Sequence, residues 1–421
     1  MTKTNKQPAK FSFMEQWKQD RLIDILDTLI DYRGKTPNKV ERGIPLITAK
    51  IVKNGRIETP TEFLPVEEYK DWMVRGYPQV GDVVLTTEAP LGEVAQLKDD
   101  KIALAQRIVC LRGKEDALDN TYLKYFLMSN IGQYRLKARE TGTTVTGIKQ
   151  SELKEVLIDY PNYELQQKIA SILSSLDNKI ELNRRINDNL EQQAQALFKS
   201  WFVDFEPFKD GKFVESELGM IPKGWRVGTL NEIGNVVGGG TPSKSKPEYY
   251  CSDGIAWITP KDLSISKTKF ISNGEIDITE LGYKNSSAKI MPKGSILFSS
   301  RAPIGYIAIA LNDITTNQGF KSVIPKKAGT AFIYLYLKDS VDSIESQATG
   351  STFKEASGAL MKTQKVLIPS GHIYDDFENL LRPIFKKQAD SEIECRNLST
   401  IRDTLLPKLM SGKLKINDLT R

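Results

Sequence analysis

The sequence predicts an α+β protein in which two copies of one α/β domain are separated by two long helices. We expect the helices to pack on each other as an antiparallel intramolecular coiled coil. Three observations lead to this prediction. Motifs recur about 208 residues apart, short β-rich runs mark both copies, and each copy is followed by a long stripe of apolar residues at helical spacing.

The internal repeat is visible in three pairs of segments. Trp17 and Trp225, which open the two copies, are 208 residues apart. Residues 81–92 (GDVVLTTEAPLG) are echoed by residues 294–305 (GSILFSSRAPIG), and the TGTT at 141–144 is echoed by the TGST at 349–352. A long duplication usually means two copies of one module. Two such modules suggest a pseudo-twofold molecule that holds a partner at two places.

The two predicted domains occupy residues 1–161 and 222–371. In both ranges, β-rich runs are separated by Gly, Pro, Asn and Asp, as expected between strands, and helical patterns intervene. Residues 204–221, which contain several Gly and Pro residues, predict a linker. Residues 413–421 predict a short polar tail.

The two long helices are predicted at residues 162–203 and 372–412. Residues 163–202 contain no Gly or Pro, and their apolar side chains recur in steps of three and four. A helix of this length is roughly 60 Å long at about 1.5 Å per residue. The distal stripe repeats the central one at a constant offset, which favours pairing of the two helices. In the alternative, each helix lies on its own domain.

Polar residues interrupt both helical stripes. Lys179, Asn183, Gln388 and Ser391 fall near seam positions, where polar side chains can fix register at a cost in stability. Pro383 predicts either a kink in the distal helix or a helix start close to that residue.

The composition is that of a folded, water-soluble chain, with 40% hydrophobic and 27% charged residues. No apolar run approaches the roughly 18–20 residues that span a bilayer, and the first ten residues lack the apolar stretch of a secretory signal. The three widely spaced cysteines argue against a zinc site and for a reducing compartment. We therefore expect a cytoplasmic protein without a membrane partner. A net charge of +6 is compatible with nucleic acid binding.

No catalytic constellation emerges from the sequence. His372 is the only histidine. A Ser-His-Asp triad would therefore have to use this residue, and a metal site with several histidines is excluded. Residues 238–244 (GGGTPSK) lack the spacing of a phosphate loop, and residues 159–163 (DYPNY) lack the second proline of an adenine methyltransferase site. We predict no catalytic, cofactor-binding or metal-binding residue in this chain.

Polar residues at the ends of predicted strands are the candidate binding residues. Glu88 and Arg301 each precede an Ala-Pro turn, and further polar residues follow at similar distances. Such side chains can discriminate base edges and hold phosphates, although ordinary solvated turns look the same. The predicted DNA-contacting residues are Lys50, Thr87, Glu88, Gln106, Arg107, Thr143, Thr144, Lys261, Asp262, Ser300, Arg301, Gln318, Lys321, Ser351, Thr352 and Lys354.

The joint order of these motifs resembles the specificity subunit of type I restriction-modification systems over essentially the whole chain. No single motif is decisive. The segments that carry the resemblance are 197–205 (LFKSWFVDF), 221–225 (IPKGW), 257–263 (WITPKDL), 294–307 (GSILFSSRAPIGYI), 315–321 (TTNQGFK), 349–355 (TGSTFKE) and 397–412 (NLSTIRDTLLPKLMSG).

The resemblance implies two target-recognition domains that each read one half of a bipartite DNA site, with the helices as a spacer. It implies a non-catalytic chain that recruits methyltransferase subunits, two in number, and restriction subunits for phage defence. S-adenosylmethionine, ATP and Mg would be used by those partners. Glu88 stands where Arg301 stands, so the two half-sites are expected to differ. Predicted docking residues on free helix faces are Arg184, Arg185, Asn187, Glu191, Asn397, Arg402 and Asp403.

Two other classes of function are open at this point. A nuclease or methyltransferase acting alone would need catalytic residues that the sequence does not display. A coiled-coil adaptor that binds only proteins would not need two duplicated polar loops.

Overall fold

The computed structural model describes residues 17–32, 36–142, 146–350 and 354–414. The chain divides into two compact units. Unit 1 comprises residues 1–180 and 397–421, and unit 2 comprises residues 181–396. Within the described residues, no helix is both long enough and apolar enough to cross a membrane.

Unit 1 contains the first α/β domain. Its strands are β1 (Lys18–Arg21), β2 (Leu26–Asp31), β3 (Ile44–Ile47), β4 (Val52–Lys53), β5 (Arg56–Ile57), β6 (Phe63–Leu64), β7 (Val83–Thr87), β8 (Leu91–Gln96), β9 (Ala103–Leu104), β10 (Ile108–Gly113) and β11 (Leu157–Tyr160). Its helices are α1 (Leu22–Ile25), α2 (Tyr69–Trp72), α3 (Asn120–Met128), α4 (Asn130–Lys137), α5 (Gln150–Lys154) and the start of α6 (Tyr163–Phe202).

A four-stranded sheet of order β2-β10-β7-β8 is the centre of this domain. Side chains alternate between its faces, as they must in a strand. Val83 and Leu85 pack in a core with Tyr122 and other residues of α3. Val84, between them, belongs to a second core with β3 and β9. Both faces of the sheet are therefore buried, and its polar residues collect where strands end.

Unit 2 contains the second α/β domain. Its strands are β12 (Phe213–Ser216), β13 (Gly219–Pro222), β14 (Arg226–Thr229), β15 (Gly234–Gly238), β16 (Tyr250–Cys251), β17 (Trp257–Ile258), β18 (Phe270–Ile271), β19 (Asp277–Ile278), β20 (Ile296–Ser300), β21 (Ile304–Ala310), β22 (Thr315–Thr316), β23 (Lys321–Pro325) and β24 (Lys365–Ile368). Its helices are α7 (Leu230–Ile233), α8 (Pro260–Ser266), α9 (Glu280–Lys284), α10 (Thr330–Asp339), α11 (Val341–Gln347), α12 (Gly358–Thr363) and most of α13 (Ile373–Met410).

The repeat in the sequence is a repeat of structure. The second domain has a central sheet of order β15-β23-β20-β21-β18, in which β15, β23, β20 and β21 match β2, β10, β7 and β8. The outer pair β14-β24 matches β1-β11, with Arg226 opposite Ile368 as Lys18 is opposite Tyr160. In each domain, a short parallel pair, β3-β9 or β17-β22, stands beside the sheet.

Residues 204–221, expected to be a linker, fold into ordered structure. A 3-10 turn at Glu206–Phe208 is followed by the hairpin of β12 and β13. Aromatic packing explains the order, because the ring of Trp225 lies 5.6 Å from that of Phe205 and 5.1 Å from that of Phe208.

The long helices run antiparallel in both units. In unit 2, Asn183 donates to Glu394 across 2.7 Å, and the Phe202 and Tyr374 rings lie 6.2 Å apart. Residues with increasing numbers along α6 therefore contact residues with decreasing numbers along α13, as in an antiparallel pair. In unit 1, Asp177 of α6 pairs with Arg402 of α13. The predicted fold class is confirmed.

Most of the predicted polar seam is also confirmed. Asn183, Gln388 and Ser391 are buried, whereas Lys179 is exposed. A helix start near Pro383 is wrong, since α13 begins at Ile373. Acidic residues fill its first turn, where the helix dipole favours negative charge.

Candidate nucleic-acid interface

The central strands β7 and β20 end in loops of the same shape. We call residues 87–91 the first Ala-Pro loop and residues 300–304 the second. Both contain a cis Ala-Pro bond, at Ala89–Pro90 and at Ala302–Pro303. The φ angles of Ala89 and Ala302 are 51° and 52°. The two loops therefore present the preceding residue, Glu88 or Arg301, in the same way.

Matching hydrogen bonds hold the two loops in place. In each domain, the residue that precedes the charged tip, Thr87 or Ser300, donates one backbone hydrogen bond and accepts another. The residue before that one, Thr86 or Ser299, accepts a hydrogen bond from a backbone N–H through its side-chain hydroxyl. In unit 1 these bonds are Thr87 N to Arg107 O (2.9 Å), Ile148 N to Thr87 O (2.9 Å) and Glu93 N to Thr86 Oγ1 (2.9 Å). In unit 2 they are Ser300 N to Gly319 O (2.8 Å), Ala356 N to Ser300 O (2.9 Å) and Tyr306 N to Ser299 Oγ (2.8 Å).

The charges at the two loop tips are opposite in sign, and each meets a counter-charge. Glu88 Oε1 lies 2.9 Å from Arg107 Nε. Arg301 Nη1 lies 3.7 Å from Glu355 Oε2. The carboxylate of Glu355 also pairs with Lys321, at 3.0 Å. The side chains of Glu88 and Arg301 are 35% and 37% exposed. Ion pairs this open to water contribute little stability, so either tip can exchange its partner for a ligand.

A cleft of about 660 Å³ in unit 2 brings four predicted residues together. Lys261, Asp262, Arg301 and Gln318 line it. The sequence did not assign the other side chains of its wall, which include Thr241, Lys244, Tyr250 and Trp257. Lys244 is the last residue of segment 238–244, which the sequence analysis rejected as a phosphate loop. That glycine-rich segment was the sequence feature that could have indicated this part of the cleft.

Two of the predicted residues support the cleft wall from inside. Asp262 is buried and caps α8, with Oδ2 accepting from Thr259 N at 2.7 Å and Oδ1 accepting from Glu275 N at 2.9 Å. Ser300 is fully buried, and its Oγ donates to Gly319 O at 3.1 Å. Their hydrogen bonds are satisfied within the protein, which assigns both a structural part in the site.

The cations of this region differ in exposure. Lys261 is exposed and lies 2.6 Å from Glu275, whose hydrogen bond raises the pKa of that lysine. Gln318 and Lys354 are also exposed. Lys321 is largely covered by the protein and pairs with Glu355 at 3.0 Å. Of the predicted residues that line the cleft, Lys261 and Gln318 are thus the exposed polar groups that accompany Arg301.

Unit 1 carries a parallel set of residues. Lys50 follows Ile47 of β3 by three positions, as Lys261 follows Ile258 of β17. Lys50 and Arg107 are exposed, and Gln106 is half-buried. The hydroxyl of Thr87 is buried without a hydrogen-bond partner in the described part of the chain.

Four predicted residues, Thr143, Thr144, Ser351 and Thr352, lie outside the described residues. The bridges Thr141–Gly147 and Thr349–Glu355 flank those positions in the two domains. Glu355, the counter-charge of the second loop, thus occupies the place of Gly147 in the first domain.

Other chemistry-bearing residues are dispersed. His372 lies on the surface with Nδ1 3.5 Å from Asp375. Among the described residues, Cys110, Cys251 and Cys395 form no disulfide bond. Among the residues with described positions, no three His, Cys, Asp or Glu side chains are grouped so as to hold a metal ion.

Two mostly covered carboxylates of α6, to which the sequence analysis did not give this role, fasten the domains to the helices. Asp177 of α6 accepts from Lys124 (2.9 Å), Tyr125 (2.6 Å) and Arg402 (2.8 Å) in unit 1. Glu191 of α6 pairs with Lys269 at 2.8 Å and with Lys338 at 2.6 Å in unit 2.

These networks correct the expected docking faces on the helices. Glu191 and Arg402 were predicted to lie on free faces, but both are mostly covered and engaged in ion pairs. Asn187 donates to the Gln388 carbonyl across the helix pair at 3.2 Å. Polar residues on a helical stripe can face a buried network as readily as solvent, which the sequence pattern does not distinguish.

Comparison with known proteins identifies the family. Residues 14–192 and 222–385 match the profile of the type I restriction modification DNA specificity domain. The type I restriction enzyme MjaIX specificity subunit of Methanocaldococcus jannaschii is 32% identical over 424 residues, which cover 96% of this chain and 95% of the relative. The HindI specificity subunit of Haemophilus influenzae is 28% identical over 75% of this chain and 82% of its own length.

A solved structure shares the fold. The crystal structure of a type I restriction-modification S subunit from M. genitalium matches with a TM-score of 0.55 and 20% identity, over 93% of this chain and 96% of that one. The sequence profile covers both α/β domains, and the similarity to the Methanocaldococcus jannaschii relative extends along nearly the whole chain. This chain therefore belongs to the family of type I restriction-modification specificity subunits.

Proposed function

We propose that this chain is the DNA-reading subunit of a type I restriction-modification complex, in which each α/β domain reads one half of an asymmetric bipartite site. The observation that carries the proposal is the pair of Ala-Pro loops. Their backbones are held identically, yet their tips carry Glu88 and Arg301. Two domains that recognise different DNA sequences require the same backbone support for the loop and different side chains at its tip.

The chemistry of the second cleft supports contact with DNA. Arg301 and Gln318 offer donors and acceptors for base edges, and Lys261 and Lys244 offer charges for phosphates. The net charge of +6 has the sign that a DNA partner needs. Tyr250 and Trp257 form a rigid part of the cleft wall, because their rings pack edge to face with centres 5.7 Å apart.

The long helices suit a spacer between the two readers. Within each unit, a mostly covered carboxylate of α6 fastens the domain to the helix, Asp177 in unit 1 and Glu191 in unit 2. A domain attached in this way keeps its orientation on its helices. Two half-sites read together would be separated by on the order of one turn of DNA, about 34 Å.

The catalytic steps belong to partners in this proposal. Two methyltransferase subunits would use S-adenosylmethionine to methylate an adenine in each half-site, and restriction subunits would use ATP and Mg to cleave DNA. A methylated adenine has to be extruded from the helix, so each reading domain must leave room for a catalytic subunit beside it. The assembly would work in the cytoplasm, where the DNA is.

A methylome tests the proposal. The chain is expressed with the methyltransferase encoded beside it, in a host without other adenine methylation, and N6-methyladenine is mapped by sequencing. We expect a gapped, bipartite motif with unlike halves that disappears when this chain is omitted. Two identical halves would contradict the asymmetry. An assembled complex without any chain-dependent methylation would contradict the reading role.

A further inference from the structure

We propose that Glu88 and Arg301 are matched specificity residues that select bases of opposite hydrogen-bonding character. In this assignment, Arg301 selects a guanine in one half-site, and Glu88 selects a cytosine, through its amino group, in the other. The inference rests on the proposed function and extends it to named bases.

The first step is the equivalence of the two positions. Each residue follows a strand of the central sheet, β7 or β20, and precedes a cis Ala-Pro bond. Both strands carry a register shift just before the tip, between Leu85 and Thr87 and between Phe298 and Ser300. Because the same backbone bonds fix both loops, two domains that bind DNA in the same manner bring Glu88 and Arg301 to corresponding places on their half-sites.

The second step is accessibility. Thr87 and Ser300, which precede the tips, are buried and cannot reach a ligand. Glu88 and Arg301 are about one-third exposed. Their counter-ions are also partly exposed, so either pair can open without leaving a buried charge unpaired.

The third step is that the two domains place the counter-charge of the tip residue at different positions. Arg107, which holds Glu88, occupies the place of Gly319 in the second domain, because Thr87 and Ser300 donate to these two carbonyls. Glu355, which holds Arg301, occupies the place of Gly147 in the first domain. The counter-charge thus comes from a different loop in each domain. Both domains hold their tip in a defined position although its charge is reversed.

The fourth step is the chemistry of base edges. The Arg301 guanidinium has parallel N–H donors that match the O6 and N7 acceptors of guanine in the major groove. An ionised glutamate only accepts hydrogen bonds, so Glu88 requires a base that donates. The N6 amino donor of adenine lies beside the N7 acceptor, which repels a carboxylate, whereas cytosine presents its N4 amino donor alone, so cytosine is the better match.

The test maps methylation directed by Glu88→Gln, Arg301→Gln, the double variant of these two, and Arg107→Gln. We expect Glu88→Gln to relax one cytosine position in one half-site and Arg301→Gln to relax one guanine position in the other. Each variant should reduce the preference for the original base by about 5- to 150-fold, and the double variant should relax both positions.

Matched controls are available in both units. Glu152 is 40% exposed and pairs with Arg139 at 3.0 Å, and Arg226 is 52% exposed and pairs with Glu232 at 2.7 Å. Glu152→Gln and Arg226→Gln remove comparable ion pairs away from the loops and should leave the motif unchanged. Melting temperature and assembly with the methyltransferase are measured for every variant, and Glu88→Asp and Arg301→Lys replace any that does not fold.

The outcomes separate this assignment from the proposed function. A wild-type motif that both tip variants leave unchanged rejects the base assignment alone. A folded, assembled variant that loses methylation equally at every sequence also rejects it, since its tip then contacts the DNA backbone. A base change with Arg107→Gln but not with Glu88→Gln would transfer the reading role to Arg107. A wild-type chain that directs no motif rejects the proposed function and the assignment with it.

Discussion

The Lys269 ammonium group lies 2.8 Å from Glu191 Oε2 and 3.4 Å from the centre of the Phe385 ring. Lys269 precedes β18 of the second domain, whereas Glu191 and Phe385 belong to the two long helices. The lysine side chain is only 8% exposed. Burial lowers the pKa of Lys269 to about 8, although the charge of Glu191 opposes this shift. The pair is the electrostatic attachment of the domain to its helices in unit 2.

Removing one partner of this pair should destabilise unit 2. Glu191→Leu leaves Lys269 buried without its carboxylate, and we expect a loss of about 3 kcal/mol in the free energy of unfolding. Lys269→Met in the same chain should recover most of the loss, because an apolar pair can replace a buried ion pair. Urea unfolding of the two single variants and the double variant measures the coupling. Additive losses would contradict direct pairing.

The acid stability of unit 2 should depend on Glu191. Burial raises the pKa of Glu191, but the charges and hydrogen bonds of Lys269 and Lys338 outweigh it and lower the pKa to about 2. A carboxylate with a depressed pKa stabilises the fold fully above its unfolded pKa of about 4.5 and loses that contribution as the pH falls towards 2.

Lys269 stays protonated throughout that range, so the titration reports Glu191. The free energy of unfolding of the wild type, measured relative to that of the variant with both Glu191→Leu and Lys269→Met, should be constant from pH 5 to pH 7 and fall below about pH 4.5. Urea titrations at stepped pH measure both proteins. A wild type that keeps or gains stability relative to the double variant on acidification would contradict the assignment.

Asp177 should be the corresponding attachment in unit 1. Burial raises the pKa of Asp177, but Lys124, Tyr125 and Arg402 together lower it below its usual range. Asp177→Ala leaves Lys124 without its carboxylate and Arg402 with only the more exposed Asp403, and it should cost about 3 kcal/mol. Hydrogen exchange should rise in α3 and in the last turns of α13, while Glu164→Ala, an exposed carboxylate on the same helix, serves as the control. Unchanged protection of α3 would contradict this role.

The sequence predicted the repeated elements well because repetition is visible without knowing which residues touch. The strands that flank Glu88 and Arg301, and the stripes of α6 and α13, follow from period and offset alone. The attachments do not follow from the repeat. An offset of 208 maps Asp177 onto Phe385 and Glu191 onto Ser399, so neither carboxylate has a counterpart of its own type.

The tyrosines that meet those carboxylates do correspond between the domains. Tyr125 donates to Asp177 at 2.6 Å, and Tyr334 donates to Glu191 at 3.3 Å. Both lie on the helix that follows the central sheet, α3 or α10. Both acceptors, however, lie on α6, 14 residues apart. The domains repeat their own contacts, whereas the helix supplies each with a different residue, and a repeat search cannot find such pairs.

Asp262 tests the distinction between a reading residue and a supporting one. Its carboxylate forms a capping box with Thr259 at the start of α8. Asp262→Ala should therefore destabilise the protein by about 1 kcal/mol and leave the methylated motif unchanged. Thr259→Ala, which breaks the same box from the other side, should have a similar effect on the melting temperature. A new base at one motif position with Asp262→Ala alone would make this residue a reader.

Charge reversal distinguishes a DNA reader from a coiled-coil adaptor. Lys50 and Lys261 are exposed and occupy equivalent places after β3 and β17, so Lys50→Glu with Lys261→Glu changes both domains alike without burying a charge. For a DNA reader, we expect affinity for duplex DNA to fall about tenfold or more and the salt dependence of binding to flatten, because fewer counter-ions are released.

Assembly with the methyltransferase should be unaffected by that double reversal, and Lys168→Glu on the exposed face of α6 should leave DNA affinity nearly unchanged. An adaptor would show no DNA affinity to lose, and its partner binding would depend on the helices instead. Fluorescence anisotropy with a labelled duplex at several salt concentrations, alongside size-exclusion chromatography of the complex, measures both properties. Equal DNA binding by the wild type and the reversed variant would exclude both lysines from the interface and place DNA contact, if any, away from the strand-end loops.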